Sequence, residues 1–154
     1  MQYMTESMTE TAQEQMWQSE PSTEELAAGA PQSAEDKTIL IVEDDDYIGS
    51  MLVEALRQET PYRPLLVNDG MQALTLVKQV KPCLIITDYR LPLMNGIELY
   101  DRLHTLNELA ETPTIMMSAY LPPQEEMRKR NLVALNKPFE LDEFLDKVDS
   151  LLQC

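Results

Sequence analysis

Short apolar runs alternate with longer segments of helical periodicity along most of this chain. Each run has four or five residues, largely aliphatic and often β-branched, a pattern typical of strands buried on both faces of a parallel sheet. The predicted strands are residues 38–42, 64–67, 84–87, 114–117 and 132–135.

Between these runs, apolar residues recur at the spacing of one helix face. The predicted helices are residues 47–59, 96–106, 124–130 and 141–152, with a further helix around 73–80 that ends before Lys81-Pro82. Either Asp45 or Asp46 is expected to cap the first helix. The alternation of five strands with five helices predicts an α/β fold, a doubly wound five-stranded parallel sheet with helices on both faces.

Polar residues stand at the end of four of the predicted strands. Glu43 and Asp44 follow the first, Asp88 the third, Ser118 the fourth, and Lys137 comes just after the fifth. If the strands are parallel, these groups meet at the carboxyl edge of the sheet, where ligands bind in such folds. Three carboxylates in one cleft repel one another unless a divalent cation is bound, and oxygen ligands suit Mg²⁺. The lysine and the hydroxyl could hold phosphoryl oxygens while one carboxylate attacks phosphorus.

In this order and at these strand ends, the motifs resemble those of the receiver domain of two-component response regulators. The resemblance implies that Glu43 and Asp44 are the paired acids that bind Mg²⁺ together with Asp88. Asp88, in the sequence D-Y-R-L-P, matches the phosphoacceptor. Ser118, followed by alanine, matches the switch hydroxyl, and Lys137 begins the K-P-F motif, so that both are expected to assist phosphoryl transfer.

The resemblance covers residues 37–154 and implies further features. The sheet order should be 2-1-3-4-5, as in the flavodoxin-like fold. The backbone carbonyl of Arg90 should be a further ligand of Mg²⁺, and the Lys137–Pro138 peptide bond should be cis.

The expected function is that of a phospho-accepting response regulator in a phosphorelay. A histidine kinase or a histidine phosphotransfer protein would donate the phosphoryl group to Asp88. The protein would promote only its own phosphorylation and dephosphorylation and would not be an enzyme with a separate substrate. We expect no output domain after the last predicted helix, and we therefore expect signalling through contacts with an unidentified downstream protein.

Two departures from the family pattern affect the expected response. Ala134 occupies a position that is usually aromatic, and Lys137 stands only 19 positions after Ser118, which predicts a fourth helix about one turn short. Arg90 and Tyr120 stand two residues after the phosphoacceptor and the switch hydroxyl, where side chains border the approach of water. Both are bulky, and we expect them to slow dephosphorylation.

Charge and composition limit the other partners. The 154 residues carry a formal net charge of −15, which disfavours direct binding to nucleic acid or to an anionic membrane. No apolar run is long enough to span a bilayer, and no secretory signal is recognisable. Two cysteines give no disulfide framework, which predicts a reducing cytoplasm.

Two regions of the chain have unusual charge. Residues 1–36 contain eight acids and no Lys or Arg, which predicts a disordered acidic extension before the receiver domain. Arg128, Lys129 and Arg130 form a basic cluster, which predicts a partner surface on the fourth and fifth helices. The single histidine, His104, is expected to be a surface residue and not a phosphodonor.

Two other classes of protein could use acids at the same sheet edge. One common type of metal-dependent phosphatase has a second aspartate two residues after the nucleophile, where this chain has Arg90. A flavodoxin-like binder would need a Ser/Thr/Gly-rich phosphate loop after the first strand, where this chain has consecutive acids.

Overall fold

The computed structural model describes residues 37–152, which form one parallel five-stranded sheet with helices on both faces. The strands are β1 Thr38–Val42, β2 Arg63–Val67, β3 Leu84–Asp88, β4 Thr114–Ser118 and β5 Val133–Asn136. The helices are α1 Asp46–Glu59, α2 Gly70–Leu76, α3 Gly96–Leu103, α4 Gln124–Lys129 and α5 Leu141–Leu151. The sheet order is β2-β1-β3-β4-β5, so the predicted fold class and strand order are confirmed. The predicted acidic extension, residues 1–36, lies outside the described residues.

The central strands are buried on both faces, as their unbroken apolar runs predict. Ile39 and Ile41 of β1 pack with residues of α1 and α5, whereas Leu40 and Val42 pack with residues of α2 and α3. This alternation follows from the period of two along a strand. Full burial of each such side chain contributes about 1.5–3 kcal/mol to the free energy of unfolding.

Side-chain caps fix the start of three helices close to the carboxyl edge of the sheet. The Asp45 carboxylate accepts a hydrogen bond from the backbone of Ile48 at 3.1 Å, so Asp45 is the residue that caps α1. Asp69 caps α2, and Asn95 caps α3 in a capping box with Glu98. Each cap contributes about 1 kcal/mol and sets where the preceding loop ends.

The second helix ends earlier than its apolar pattern predicts. It ends at Leu76, where hydrogen bonds from Lys78 to Thr75 and from Gln79 to Leu76 span three residues, although Val80 still donates to the Leu76 carbonyl four residues before it. This tighter turn ends the regular helix before Pro82.

The third helix is also shorter than predicted, ending at Leu103 instead of Leu106. The Nε2 atom of His104 lies 2.9 Å from the carbonyl oxygen of Thr112, which draws the helix end toward the start of β4. Leu106 therefore leaves the apolar face and is 43% exposed, contrary to its predicted burial.

The fourth helix has only six residues, which confirms the expectation of a short α4. After it, Asn131 adopts a left-handed backbone conformation with φ 58°, which asparagine tolerates better than most residues. β5 then begins at Val133, one residue later than predicted.

Cys83, just before β3, is buried and disulfide-bonded. The only other cysteine of the sequence, Cys154, lies outside the described residues. The predicted reducing compartment stays a prediction. Within residues 37–152, no helix combines the length and apolar character that crossing a bilayer requires.

Candidate functional site

Three acids meet where β1 and β3 lie side by side. Glu43 and Asp44 directly follow β1, and Asp88 is the last residue of the neighbouring strand β3. One carboxylate oxygen from each of the three lies within 4.8 Å of the others. The parallel pairing thus brings together the acids that the sequence placed at one sheet edge.

Lys137 reaches this cluster from the loop that directly follows β5, an edge strand of the sheet. Its Nζ atom lies 2.7 Å from Oδ1 of Asp88 and donates a hydrogen bond of 3.0 Å to Oε1 of Glu43. The Asp88 contact is a close ion pair and not a directed hydrogen bond, because Oδ1 has no hydrogen-bond partner. The Lys137–Pro138 peptide bond is cis, as the family resemblance implied, and the backbone N–H of Lys137 donates to the carbonyl of Ser118.

Burial dominates the electrostatics of the cluster. Glu43 is 1% exposed and Asp88 is 6% exposed, and this burial raises the pKa of both carboxyl groups in spite of the opposing effect of Lys137. Burial alone would lower the pKa of Lys137, but its close contacts and charge interactions with Asp88 and Glu43 outweigh that effect and raise the pKa. With exposed Asp44, the cluster has three carboxyl groups opposed by one ammonium group.

The donor set fits a hard divalent cation. Mg²⁺ takes oxygen ligands at about 2.0–2.1 Å, so two ligands of one ion lie roughly 3–4 Å apart. The observed spacing within 4.8 Å needs only small movements to meet this requirement. A cation would also offset the repulsion among the carboxylates, which adds to the effect of burial on the pKa values of Glu43 and Asp88.

The hydroxyl of Ser118 is engaged within its own loop. It donates to the carbonyl oxygen of Tyr120 at 3.0 Å and accepts from the backbone N–H of Tyr120 at 3.1 Å. A hydroxyl has one proton, so Ser118 must release the Tyr120 carbonyl before it can donate to another group. The residue stands at the predicted strand end, one position past the Asp88–Met117 pair of the sheet.

Arg90 and Tyr120 connect two loops beside the acids. The guanidinium carbon of Arg90 lies 5.9 Å from the centroid of the exposed Tyr120 ring, at the outer limit of a cation–π contact. Ala134 is half-buried in β5, opposite Met116 of β4, and presents only a methyl group there. The role of the Arg90 carbonyl as a metal ligand stays a prediction.

Gly96 allows α3 to begin against the end of β3. A Cβ atom on Gly96 would lie 2.7 Å from the backbone oxygen of Asp88 and 2.6 Å from Sδ of Met116. The first of these neighbours is backbone that cannot move without displacing Asp88. Glycine is therefore required here for the close approach that holds Asp88 in place.

Sequence reasoning missed Leu93, in the loop between β3 and α3. Its φ is 74°, in the left-handed region, and its side chain is 82% exposed. This conformation costs a residue other than glycine about 1–2 kcal/mol. The available signal was a leucine directly after Pro92, in a loop where glycine or asparagine would be less strained.

His104 is not the surface residue that the sequence predicted. It is half-buried, its ring stacks on Tyr100 with centroids 3.8 Å apart, and its Nδ1 lies 2.9 Å from the Tyr100 carbonyl. Its second nitrogen contacts the chain just before β4, so the residue joins the end of α3 to the sheet. It makes no contact with the acidic cluster in the described part of the chain.

Sequence reasoning also missed an ion-pair network between α3 and α4. Arg130 donates from Nε and Nη2 to the two carboxylate oxygens of Asp101, at 2.8 and 3.0 Å, and from Nη1 to Glu126 at 2.8 Å. The hydroxyl of Tyr100 donates to the Arg130 carbonyl. We call these four residues the α3–α4 clamp. Arg130 is thus part of an internal contact and not of a free basic cluster.

Comparison with known proteins places this geometry in a family. Residues 39–149 match the family model of the response regulator receiver domain. The chain is 34% identical over 117 residues to the sporulation initiation phosphotransferase F of Bacillus subtilis, covering 74% of this chain and 92% of that protein.

Solved structures give the same result for the fold. The chemotaxis response regulator CheY4 of Vibrio cholerae is 24% identical, covers 76% of this chain and 99% of its own, and has a TM-score of 0.70. The receiver domain of the sensor histidine kinase PA1611 of Pseudomonas aeruginosa, solved with a magnesium ion coordinated in its active-site cleft, is 25% identical. It covers 76% of this chain and 98% of its own, with a TM-score of 0.67. By its sequence and fold, this chain belongs to the response regulator receiver domain family.

Proposed function

We propose that this receiver domain accepts a phosphoryl group on Asp88 from a phosphohistidine, with Mg²⁺ as its cofactor. The observation that carries the proposal is the position of the Asp88 carboxylate. It lies within 4.8 Å of the carboxylates of Glu43 and Asp44 and 2.7 Å from the ammonium of Lys137. A carboxylate held between a cation site and a lysine can act as a nucleophile toward phosphorus.

Each residue has a role that its position supports. Glu43 and Asp44, with Asp88, would hold Mg²⁺, which supplies positive charge beside the transferring phosphoryl oxygens. Lys137 would shift from Asp88 toward a phosphoryl oxygen as the charge on the carboxylate is lost. Ser118 would donate its hydroxyl proton to a second phosphoryl oxygen after it releases the carbonyl of Tyr120.

The transfer itself is a displacement at phosphorus. A P–O bond forms to an oxygen of Asp88 while the P–N bond of the phosphohistidine breaks. The imidazole nitrogen keeps the electron pair of that bond and takes up a proton from water. The domain would hydrolyse only its own aspartyl-phosphate, returning the Asp88 carboxylate and inorganic phosphate.

The donor would be a histidine kinase or a histidine phosphotransfer protein, and a downstream protein would bind the α4–β5–α5 face. Two observations support this face: α4 is unusually short, and Arg128 and Lys129 remain exposed on it after Arg130 is bound in the clamp. A cytoplasmic location stays a prediction.

The first prediction tests Asp88 directly. Phosphoramidate with Mg²⁺ should add one phosphate of base-labile, acid-stable character, measured as a mass increase of the intact protein. The variant Asp88→Asn should gain none, because an amide lacks the nucleophilic oxygen. EDTA should abolish labelling of the wild type, since the three carboxylates then repel an anionic donor.

The matched control is Asp149→Asn, which alters an exposed acid on α5 far from the cluster and should be labelled like the wild type. Phosphate on Asp88→Asn, or full labelling of the wild type in EDTA, would contradict the proposal.

A further inference from the structure

The most exposed large apolar side chains of the described residues surround the acidic cluster. Leu93 is 82% exposed, Tyr47 is 79% exposed and Tyr120 is 74% exposed, while the next in rank, Met71, is 49% exposed. Tyr47 lies in the first turn of α1 after β1, Leu93 between β3 and α3, and Tyr120 between β4 and α4. All three therefore stand at the carboxyl edge of the sheet, the edge that holds Asp88.

Leu93 is the most informative of the three. Its left-handed backbone, φ 74°, is unfavourable for leucine, and its exposed side chain gains almost nothing from burial in return. Asparagine or glycine would fold into this loop more easily. Strain of this kind at the edge of a site, without a benefit to folding, indicates a role in function.

The chemistry of the site identifies what covers these side chains. Asp88 is only 6% exposed, so a phosphohistidine has to enter the cleft for its phosphorus to reach the carboxylate. The protein surface around that histidine must then lie against the loops that follow β1, β3 and β4. Asp44, Asp45 and Asp46 are exposed beside Tyr47 and favour a donor surface that also carries basic residues.

We propose that Tyr47 and Leu93 form an apolar docking rim for the protein that carries the phosphohistidine. The inference rests on the proposed function and adds to it the residues that recognise the donor. Apolar side chains at the centre of a contact contribute most of its energy, and the surrounding acids orient the partner. Small donors such as phosphoramidate need no such rim. A comparison of the two kinds of donor therefore distinguishes an effect on docking from an effect on phosphoryl transfer.

The test compares two donors on the full chain. The protein donor is the kinase that labels the wild type fastest in a panel of purified, ³²P-labelled histidine kinases, and the small donor is phosphoramidate. Leu93→Asn suits the left-handed backbone and removes the apolar surface. We expect it to lower kcat/KM for the protein donor at least tenfold while the rate with phosphoramidate stays within twofold of wild type. Tyr47→Ser should behave in the same way.

The matched control is Leu106→Asn, which removes another exposed leucine at the opposite edge of the sheet. It should leave both rates unchanged.

Two results would overturn the inference. The first is transfer from the kinase to Leu93→Asn and Tyr47→Ser at the wild-type rate; if light scattering then shows that the wild type is a dimer and the variants are monomers, a second copy of this chain is the occupant. The second is an equal loss of rate with both donors, which would mean that the rim acts on the chemistry instead of on docking. If phosphoramidate fails to label the wild type, the proposed function itself fails, and the inference falls with it.

Discussion

At the scale of single residues, we expect Arg90 and Tyr120 to control how long a phosphoryl group survives on Asp88. Hydrolysis needs a water in line with the P–O bond to Asp88, on the side away from the carboxylate. The guanidinium carbon of Arg90 lies 5.9 Å from the centroid of the Tyr120 ring, and we expect the two side chains together to exclude that water.

We therefore expect Arg90→Ala/Tyr120→Ala to lose phosphate at least tenfold faster than the wild type. A tenfold change corresponds to only about 1.4 kcal/mol in the barrier, which one better-placed water can supply. The measurement is the first-order loss of phosphate after removal of the donor. A double variant no faster than the wild type would mean that these side chains do not protect the phosphate.

Sequence reasoning located the polar residues of the site well, because strand ends are local signals and parallel pairing brings them together. It could not determine which hydrogen-bond partner each side chain has in the folded chain. Ser118 is held by its own loop, and Arg130 is held by Asp101, a residue 29 positions away. The leucine after Pro92 was visible in the sequence, but the strain at Leu93 depends on a backbone angle that residue type alone does not give.

At the scale of elements, the α3–α4 clamp anchors α4, the shortest of the five α-helices described. Six residues are too few for a stable isolated helix, so α4 depends on contacts with its neighbours. The buried side chain of Met127 supplies one contact, and the bidentate pair of Arg130 with Asp101 supplies another. The position of α4 thus rests on few interactions.

Asp101→Asn should lower the free energy of unfolding by about 0.5–1 kcal/mol, since Asp101 is half exposed and solvent screens the pair. The hydrogen bond from Arg130 is the main cause of the lowered pKa of Asp101. A lowered pKa stabilises the fold above the unfolded value, near pH 4, and this stabilisation is lost as the pH falls through the folded value.

The difference between wild type and Asp101→Asn should therefore be present at pH 7 and shrink below about pH 4, in urea unfolding at each pH. Amide exchange should also become faster in α4 than in α1. The control Asp146→Asn changes an exposed acid of α5 and should do neither. A pH-independent difference would mean that the ion pair is not its cause.

Helix existence was predictable from apolar periodicity, whereas helix ends were not. The end of α3 depends on a contact between His104 and the chain before β4, eight residues later, which no periodicity can reveal. The end of α2 depends on a tightening of the last turn before Pro82. The short α4 was predictable because the spacing from Ser118 to Lys137 leaves no room for a longer one.

At the scale of the whole molecule, the acidic site opposes the stability of the metal-free fold. Burial raises the pKa of Glu43 and Asp88, so their contribution to stability is present below about pH 4 and is lost as the pH rises through the folded values. At pH 7.5 the metal-free domain should thus be less stable than it would be without the buried charges of Glu43 and Asp88.

We expect Asp88→Asn to have a higher Tm than the wild type at pH 7.5 without metal, and a smaller loss of stability between pH 4 and pH 7.5. Mg²⁺ at a hundred times its Kd should stabilise the wild type by about 2.7 kcal/mol, and Asp88→Asn by less. Thermal unfolding with and without EDTA measures both effects, and Asp149→Asn is the control. Equal Tm values for wild type and Asp88→Asn without metal would contradict the expectation.

The hydrogen bond from Lys137 to Glu43 joins residues 94 positions apart, from the first strand to the loop after the last. During synthesis, the amino-terminal strands and the nucleophile leave the ribosome well before this lysine does. The nascent chain cannot assemble the full constellation until β5 has emerged and paired with β4. We therefore expect a chain that ends before Lys137 to lack the complete site, even though Glu43, Asp44 and Asp88 are already present in it.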